Sequence, residues 1–190
     1  AALIGQRVPV RGEAGIGYIL EGGFDLPPLM LTGDEVEAAV LGAQWVSGHA
    51  DPALARAARD LIAKVGAVVP DELKPMIEDA GALTPPGWAI PPDGLDVAEA
   101  RTWIRAGRKM RIGYRDQDGA ETRRTVWPIA IGYMDASRTL IGWCELREDF
   151  RSFRVDRIQD AEFLDERLPV RPAILRTRWL KALKRRYPDD

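Results

Sequence analysis

The sequence predicts an α+β protein: a helical middle region, then a small barrel or strongly bent sheet, then a closing helix. Three observations lead there. Between residues 32 and 80, apolar residues recur at helical spacing behind Thr, Asp and Pro start signals. From Lys109 to Leu164 the period shortens to that of strands, with turn signals between the runs. From Pro172 to about Tyr187 a basic amphipathic stretch closes the chain.

The elements follow in order. Arg7-Val8-Pro9-Val10 and Gly17-Tyr18-Ile19-Leu20 read as a hairpin around Gly12-Glu13-Ala14-Gly15, where Gly15 supplies the positive φ of a tight turn. Phe24-Asp25-Leu26-Pro27-Pro28-Leu29-Met30 is held extended by its paired prolines. Thr32 or Asp34 caps a helix to about Val46 with a stripe of Val36, Ala39, Val40, Ala43 and Val46. Asp51-Pro52 opens a second helix to about Val65, which Gly66 is expected to end. A short third helix runs from Pro70 to about Ala80. Residues 81–95 are rich in Pro and Gly and read as a linker. Asp96 caps a helix to Ala106, and Gly107 ends it. The strand candidates are Met110–Arg115, Arg123–Ile129, Ala130–Met134, Thr139–Glu145, Ser152–Val155 and Ala161–Leu164, with hairpin turns at Asp116-Gln117-Asp118-Gly119 and Asp135-Ala136-Ser137.

Composition narrows the function classes. With 190 residues the chain holds one large or two small domains. No apolar run approaches the roughly 18–20 residues that span a bilayer. The single cysteine, Cys144, cannot form an internal disulfide, and no secretory leader is visible, so the expected compartment is the cytoplasm. One Cys and one His (His49) supply too few ligands for a zinc site, and neither metal nor cofactor is expected. His49 fits a helix C-terminus better than a catalytic base. Cys144, Trp127, Trp143 and Trp179 read as packing residues. With no plausible base, nucleophile or metal set, the chain is not expected to be an enzyme.

Charge is divided unevenly. Residues 1–100 hold six basic against fifteen acidic side chains, residues 101–164 thirteen against ten, and residues 165–190 eight against four. The second half therefore either meets an anion or presents a solvated basic surface that offsets the acidic half. The terminal run Arg176-Thr177-Arg178-Trp179-Leu180-Lys181-Ala182-Leu183-Lys184-Arg185-Arg186 fits a nucleic-acid contact, a membrane surface, or a helix docking Leu175, Trp179 and Leu183 on a partner subunit.

The most informative segment is Cys144 to Ile158, in which Arg147, Arg151, Arg154 and Arg157 are interleaved with Phe150 and Phe153. Guanidinium groups grip phosphate, and aromatic rings stack on bases. On a strand, Arg151 and Phe153 share one face while Ser152 and Arg154 share the other. The acidic neighbours Glu145, Glu148, Asp149 and Asp156 offer the same arginines internal ion pairs, so both readings stand at this point.

Tyr114, then Arg124-Thr125-Val126-Trp127-Pro128, then Leu140-Ile141-Gly142-Trp143-Cys144-Glu145-Leu146-Arg147, then Phe150-Arg151-Ser152-Phe153-Arg154-Val155-Asp156-Arg157-Ile158 together resemble a WYL domain over residues 96–166. The Trp-Tyr-Leu that names the family falls on Arg138-Thr139-Leu140, so only Leu140 is retained. The resemblance implies a small Sm-like or SH3-like β-barrel and an effector-sensing role in a bacterial regulator. Residues 8–29 are similar to the junction in such regulators, where the hairpin is the wing of a winged helix-turn-helix and the Leu-Pro-Pro-Leu segment leads into a helical region. The implied organisation is a remnant wing over 1–22, a helical linker and dimerisation region over 23–82, a Pro/Gly-rich linker over 83–95, the WYL domain over 96–166 and a basic helix over 167–190. DNA-reading helices are expected upstream, with operator DNA as their partner.

The ligand surface carried over from the family comprises Arg147, Arg151, Arg154 and Arg157 with Tyr114 and Phe153, and its implied effector is single-stranded nucleic acid or another nucleotide-like anion. Arg154 and Asp156 are alternatively an internal pair. The expected function is the effector-sensing and dimerising part of a DNA-binding transcriptional regulator, a homodimer without membrane attachment. The alternative is a direct nucleic-acid-binding module with no sensory role.

Overall fold

The structure is a computed structural model of the chain and describes residues 10–13, 17–20, 30–78, 91–134 and 136–187. The chain divides into two compact units, Ala1–Pro86 and Gly87–Asp190.

In the first unit, β1 (Val10–Glu13) pairs antiparallel with β2 (Gly17–Leu20), Val10 opposite Leu20. Val10, the last residue of the predicted first strand, is the first described residue of the ladder. Arg7–Pro9, the turn and the Leu-Pro-Pro-Leu segment lie outside the described residues. Helix α1 (Gly33–His49) starts at Thr32 with a reciprocal cap: Thr32 Oγ1 accepts from the Glu35 N–H at 3.3 Å, and the Glu35 carboxylate accepts from the Thr32 N–H at 2.8 Å. It runs one turn further than predicted, because His49 stacks on Trp45 with ring centroids 4.4 Å apart and its Nδ1 sits 2.8 Å from the Trp45 carbonyl. Asp51 caps α2 (Pro52–Val68), accepting from the N–H groups of Ala53 and Leu54.

Gly66 does not end α2. An interior glycine costs a helix only about 1 kcal/mol, whereas Val69 precedes Pro70, and that steric clash forces the residue out of the helical region. Beyond it, a 3-10 turn (Asp71–Leu73) leads into α3 (Lys74–Glu78); the predicted end at Ala80 and most of the linker, residues 81–90, lie outside the described residues.

The second unit opens with α4 (Val97–Ala106), capped by Asp96 and ended by Gly107 at φ 63°, as its sequence predicts. Five strands follow: β3 (Arg108–Arg115), β4 (Glu121–Met134), β5 (Ser137–Cys144), β6 (Asp149–Arg154) and β7 (Ile158–Arg167), then helix α5 (Pro172–Arg186). They form one antiparallel sheet in the order β6-β5-β4-β3-β7. The two strands predicted over 123–134 are a single one. Pro128 lacks the N–H a ladder needs, and a register shift between Pro128 and Ala130 absorbs it, so the strand bends rather than stops.

The sheet is open, since no ladder joins β6 to β7 among the described residues. It is nonetheless strongly rolled. In a flat sheet its edge strands would stand four spacings apart, about 19 Å. Yet β6 and β7 are consecutive in the chain, joined by the 3-10 turn Val155–Arg157. Even fully extended, the chain from Arg154 to Ile158 reaches only about 15 Å, and a 3-10 turn is far shorter. The edges therefore converge at this corner. A second measure agrees: Tyr114 on β3 meets Phe153 on β6 edge to face at 5.1 Å, although β4 and β5 stand between their strands. The hollow of the roll is filled by Met110, Ile112, Val126, Leu140 and Val155, all fully buried, and by Val97 and Ala100 of α4.

The corner has a strap. Gly94 donates its N–H to the Val155 carbonyl at 3.1 Å, and a Cβ at Gly94 would overlap the Ile158 carbonyl oxygen. Asp93 beside it pairs with Arg138 at 2.5 Å, and both side chains are largely buried.

Candidate functional site

The arginine-rich segment reaches the surface in four different environments. Arg154, at the end of β6, forks onto Asp156: its Nε lies 3.0 Å from one carboxylate oxygen and its Nη2 2.9 Å from the other. The Arg154 guanidinium holds the Asp156 carboxyl below the usual carboxylate range, and burial only partly opposes it. Of the two readings open for this residue, the internal pair is the one the side chain forms. Phe153 is 5% exposed and belongs to the core, where it meets the half-buried Tyr114. Arg157, in the 3-10 turn, lines a polar cavity of about 260 Å³ with Arg115, Asp116, Gln117, Asp156 and Gln159.

Arg151 lies elsewhere. It lines a groove of about 340 Å³ between β6 and α5, together with Phe150, Trp179, Arg186 and Tyr187. In that groove the Arg151 and Arg186 guanidinium groups approach the same Asp149 oxygen at 3.4 and 3.5 Å. Arg147 is exposed on the turn between β5 and β6, beside Glu148 at φ 48°. Thus the four arginines do not converge on one cavity.

The outer face of the sheet carries an aromatic row. Trp127, Trp143 and Phe150 are register partners across β4, β5 and β6, with ring centroids 6.0 and 5.1 Å apart. At its inner end, Trp127 donates its indole N–H to Glu145 at 2.6 Å, and Lys109 bridges Glu145 and Glu166 at 2.9 and 3.1 Å. Burial pushes the Glu145 carboxyl up, but the indole N–H and the Lys109 ammonium outweigh it and the net shift is downward. At its outer end, Phe150 opens into the groove under α5. Trp127 and Trp143 are half-buried packing residues, as their sequence suggests, and Cys144 is a fully buried core residue.

The sequence places Trp179 and Arg186 in a terminal run that fits a nucleic-acid contact among other readings, but it does not bring them together with Tyr187 in one groove, although part of the signal is present. The helix stripe Leu175, Trp179, Leu183, continued by one turn, reaches Arg186, seven residues beyond Trp179 and on the same face. What the sequence does not reveal is that this face meets β6. At the positions that depart from the family pattern, Arg138 is spent on Asp93, and the Thr139 hydroxyl is buried without a hydrogen-bond partner. Among the described residues no group of three or more His, Cys, Asp or Glu side chains is placed to hold a metal ion, and no helix is long and apolar enough to cross a membrane.

The rolled sheet with its covering helix and basic corner coincides with a family match: residues 97–163 fit the model described as WYL domain. This segment is a WYL domain. Among solved structures, the chain is similar to the proteasome accessory factor B/C (PafBC) of Arthrobacter aurescens, at 22% identity over 75% of this chain with a TM-score of 0.35. The chain spans 22% of the length of that protein. Helix α5, which walls the groove beside Arg151, lies outside the WYL match.

Proposed function

We propose that this chain is the effector-sensing and dimerising portion of a cytoplasmic DNA-binding transcriptional regulator, with no catalytic role. Its WYL domain receives single-stranded nucleic acid or a nucleotide-like anion through arginines. The observation that supports this most is the difference among those arginines. Arg154 is forked onto its own carboxylate, whereas Arg151 and Arg157 line separate open cavities beside aromatic or polar groups. The hairpin β1–β2 would be the wing of a winged helix-turn-helix that reads operator DNA. The apolar face of α1 and α2, where Ala39, Gly42, Ala43, Leu54, Ala58 and Leu61 line a cavity of about 300 Å³, would take part in dimerisation. Sensing requires the effector to bind two states of the dimer with different affinity.

Fluorescence polarisation of a short labelled single-stranded DNA, at two salt concentrations, tests the binding step. Salt-sensitive binding that weakens in Arg151→Ala or Arg157→Ala supports the reading. A protein that binds no oligonucleotide even at low salt sinks the nucleic-acid version of it. Binding that leaves operator affinity of the regulator unchanged points instead to a direct nucleic-acid module, which the six basic and no acidic residues of α5 would suit.

A further inference from the structure

We propose that the groove between β6 and α5 is a binding site for single-stranded nucleic acid, in which Phe150, Trp179 and Tyr187 stack on bases while Arg151 and Arg186 hold phosphate. It rests on the reading that this chain binds nucleic acid, and it adds a wall of the site that lies outside the WYL domain.

Three features of the groove carry it. First, its charge is unbalanced among the described residues. Arg151 and Arg186 share one Asp149 oxygen at 3.4 and 3.5 Å, so one carboxylate faces two guanidinium groups and neither forms the close fork that Arg154 makes with Asp156. Their side chains remain 47% and 57% exposed. A phosphate entering the groove gains two charged donors without breaking a well-formed ion pair. Helix α5 reinforces the field with Arg176, Arg178, Lys181, Lys184 and Arg185 and carries no acidic residue.

Second, the lining is aromatic as well as basic: Phe150, Trp179 and Tyr187 flank the two arginines. Tyr187 is half exposed and Trp179 half-buried. Alternating rings and guanidinium groups suit a chain that alternates flat bases with phosphates. An acidic peptide would use the charges and leave the rings idle.

Third, the site is a groove with a helix for one wall. Bases within a duplex are stacked on each other and cannot present their faces to Trp179 or Tyr187 there. The favoured strand is single.

The test is fluorescence polarisation with a short fluorescein-labelled oligodeoxythymidylate and the whole chain. Trp179→Ala and Tyr187→Ala should each weaken binding by at least about fivefold, the lower end for loss of one stacked base. Arg186→Gln should weaken it too and lower the slope of log affinity against log salt by about 0.7, one phosphate contact on a single strand. The two aromatic variants should leave that slope unchanged. Trp179→Phe should restore most of the affinity lost in Trp179→Ala. If Trp179→Ala unfolds the helix, as circular dichroism would reveal, the exposed Tyr187 and Arg186 variants decide the matter alone. Equal competition by duplex DNA or polyglutamate would show that charge alone is read, and overturns the proposal. So does normal binding by both Tyr187→Ala and Arg186→Gln. If that normal binding is lost in Arg157→Ala, nucleic-acid binding stands and only this groove falls; if the unaltered protein binds no strand at all, both fall.

Discussion

Two arginine–carboxylate arrangements lie at opposite ends of β6, and they differ in kind. At the corner, Arg154 meets Asp156 through two parallel hydrogen bonds of 3.0 and 2.9 Å, beside a turn strapped down by Gly94. At the other end, Asp149 receives Arg151 and Arg186 at 3.4 and 3.5 Å, each at the limit of contact. The first arrangement matches one guanidinium to one carboxylate and braces the turn that brings the sheet edges together. The second leaves donors in excess, facing a groove. The number of arginines is therefore a poor guide to where an anion binds; the ratio and geometry of their carboxylate partners is a better one.

The comparison can be broken hardest at Phe153, which sits between the two ends and in the core. Phe153→Ala should cost roughly 3–5 kcal/mol of stability, read as a large drop in the urea midpoint, because it empties the hollow against Tyr114. A mild effect would show that the ring is a surface platform instead. The next test exchanges the two carboxylates. Asp156→Asn should lose about 1 kcal/mol of stability, the worth of a hydrogen-bonded pair, and change oligonucleotide affinity less than Asp149→Asn does. Asp149→Asn should shift stability by less than about 0.5 kcal/mol. It should also tighten oligonucleotide binding by about fivefold, since it removes a negative charge worth about 1 kcal/mol beside the incoming phosphate. Identical behaviour of the two variants would erase the distinction drawn here.

Acidification sharpens it further. Because Arg154 lowers the Asp156 pKa in the folded state, the contribution of that pair is complete above the ordinary aspartate value of about 3.9 and is lost as pH falls through the lower folded value. Thermal unfolding of the native protein should therefore lose more stability on acidification through that window than Asp156→Asn does. A change in the stabilising direction is expected at Glu148, whose φ of 48° is strained for a residue with a Cβ. Glu148→Gly should raise stability by up to about 1 kcal/mol, read as a higher Tm.

Local signals were legible where local chemistry decides. Asp96 and Gly107 bound α4 as written, and Asp116 to Gly119 turn the chain between β3 and β4, with Asp116 Oδ1 accepting from the N–H groups of Asp118 and Ala120. Local signals misled where two of them competed. Gly66 was outweighed by Pro70 as the helix terminator, and the strands predicted over Arg123–Ile129 and Ala130–Met134 are one, because a register shift spares the N–H that Pro128 lacks. The site divides the same way. Both partners of the Arg154–Asp156 pair were visible because they stand two residues apart. The sharing of Asp149 between Arg151 and Arg186 was not, since Arg186 lies thirty-seven residues further along the chain.

By itself, then, the sequence determined the α+β class, the positions of most helix caps and turns, the WYL segment and the arginine-rich strand, all of which depend on neighbours within a few residues. Only the tertiary structure decided which arginine forks onto a carboxylate and which faces a groove. It also decided that the sheet rolls without a ladder closing it, and that α5 turns Trp179 and Arg186 toward β6. Those outcomes depend on which distant groups the roll of the sheet brings within hydrogen-bonding range, and spacing along the chain does not encode that distance.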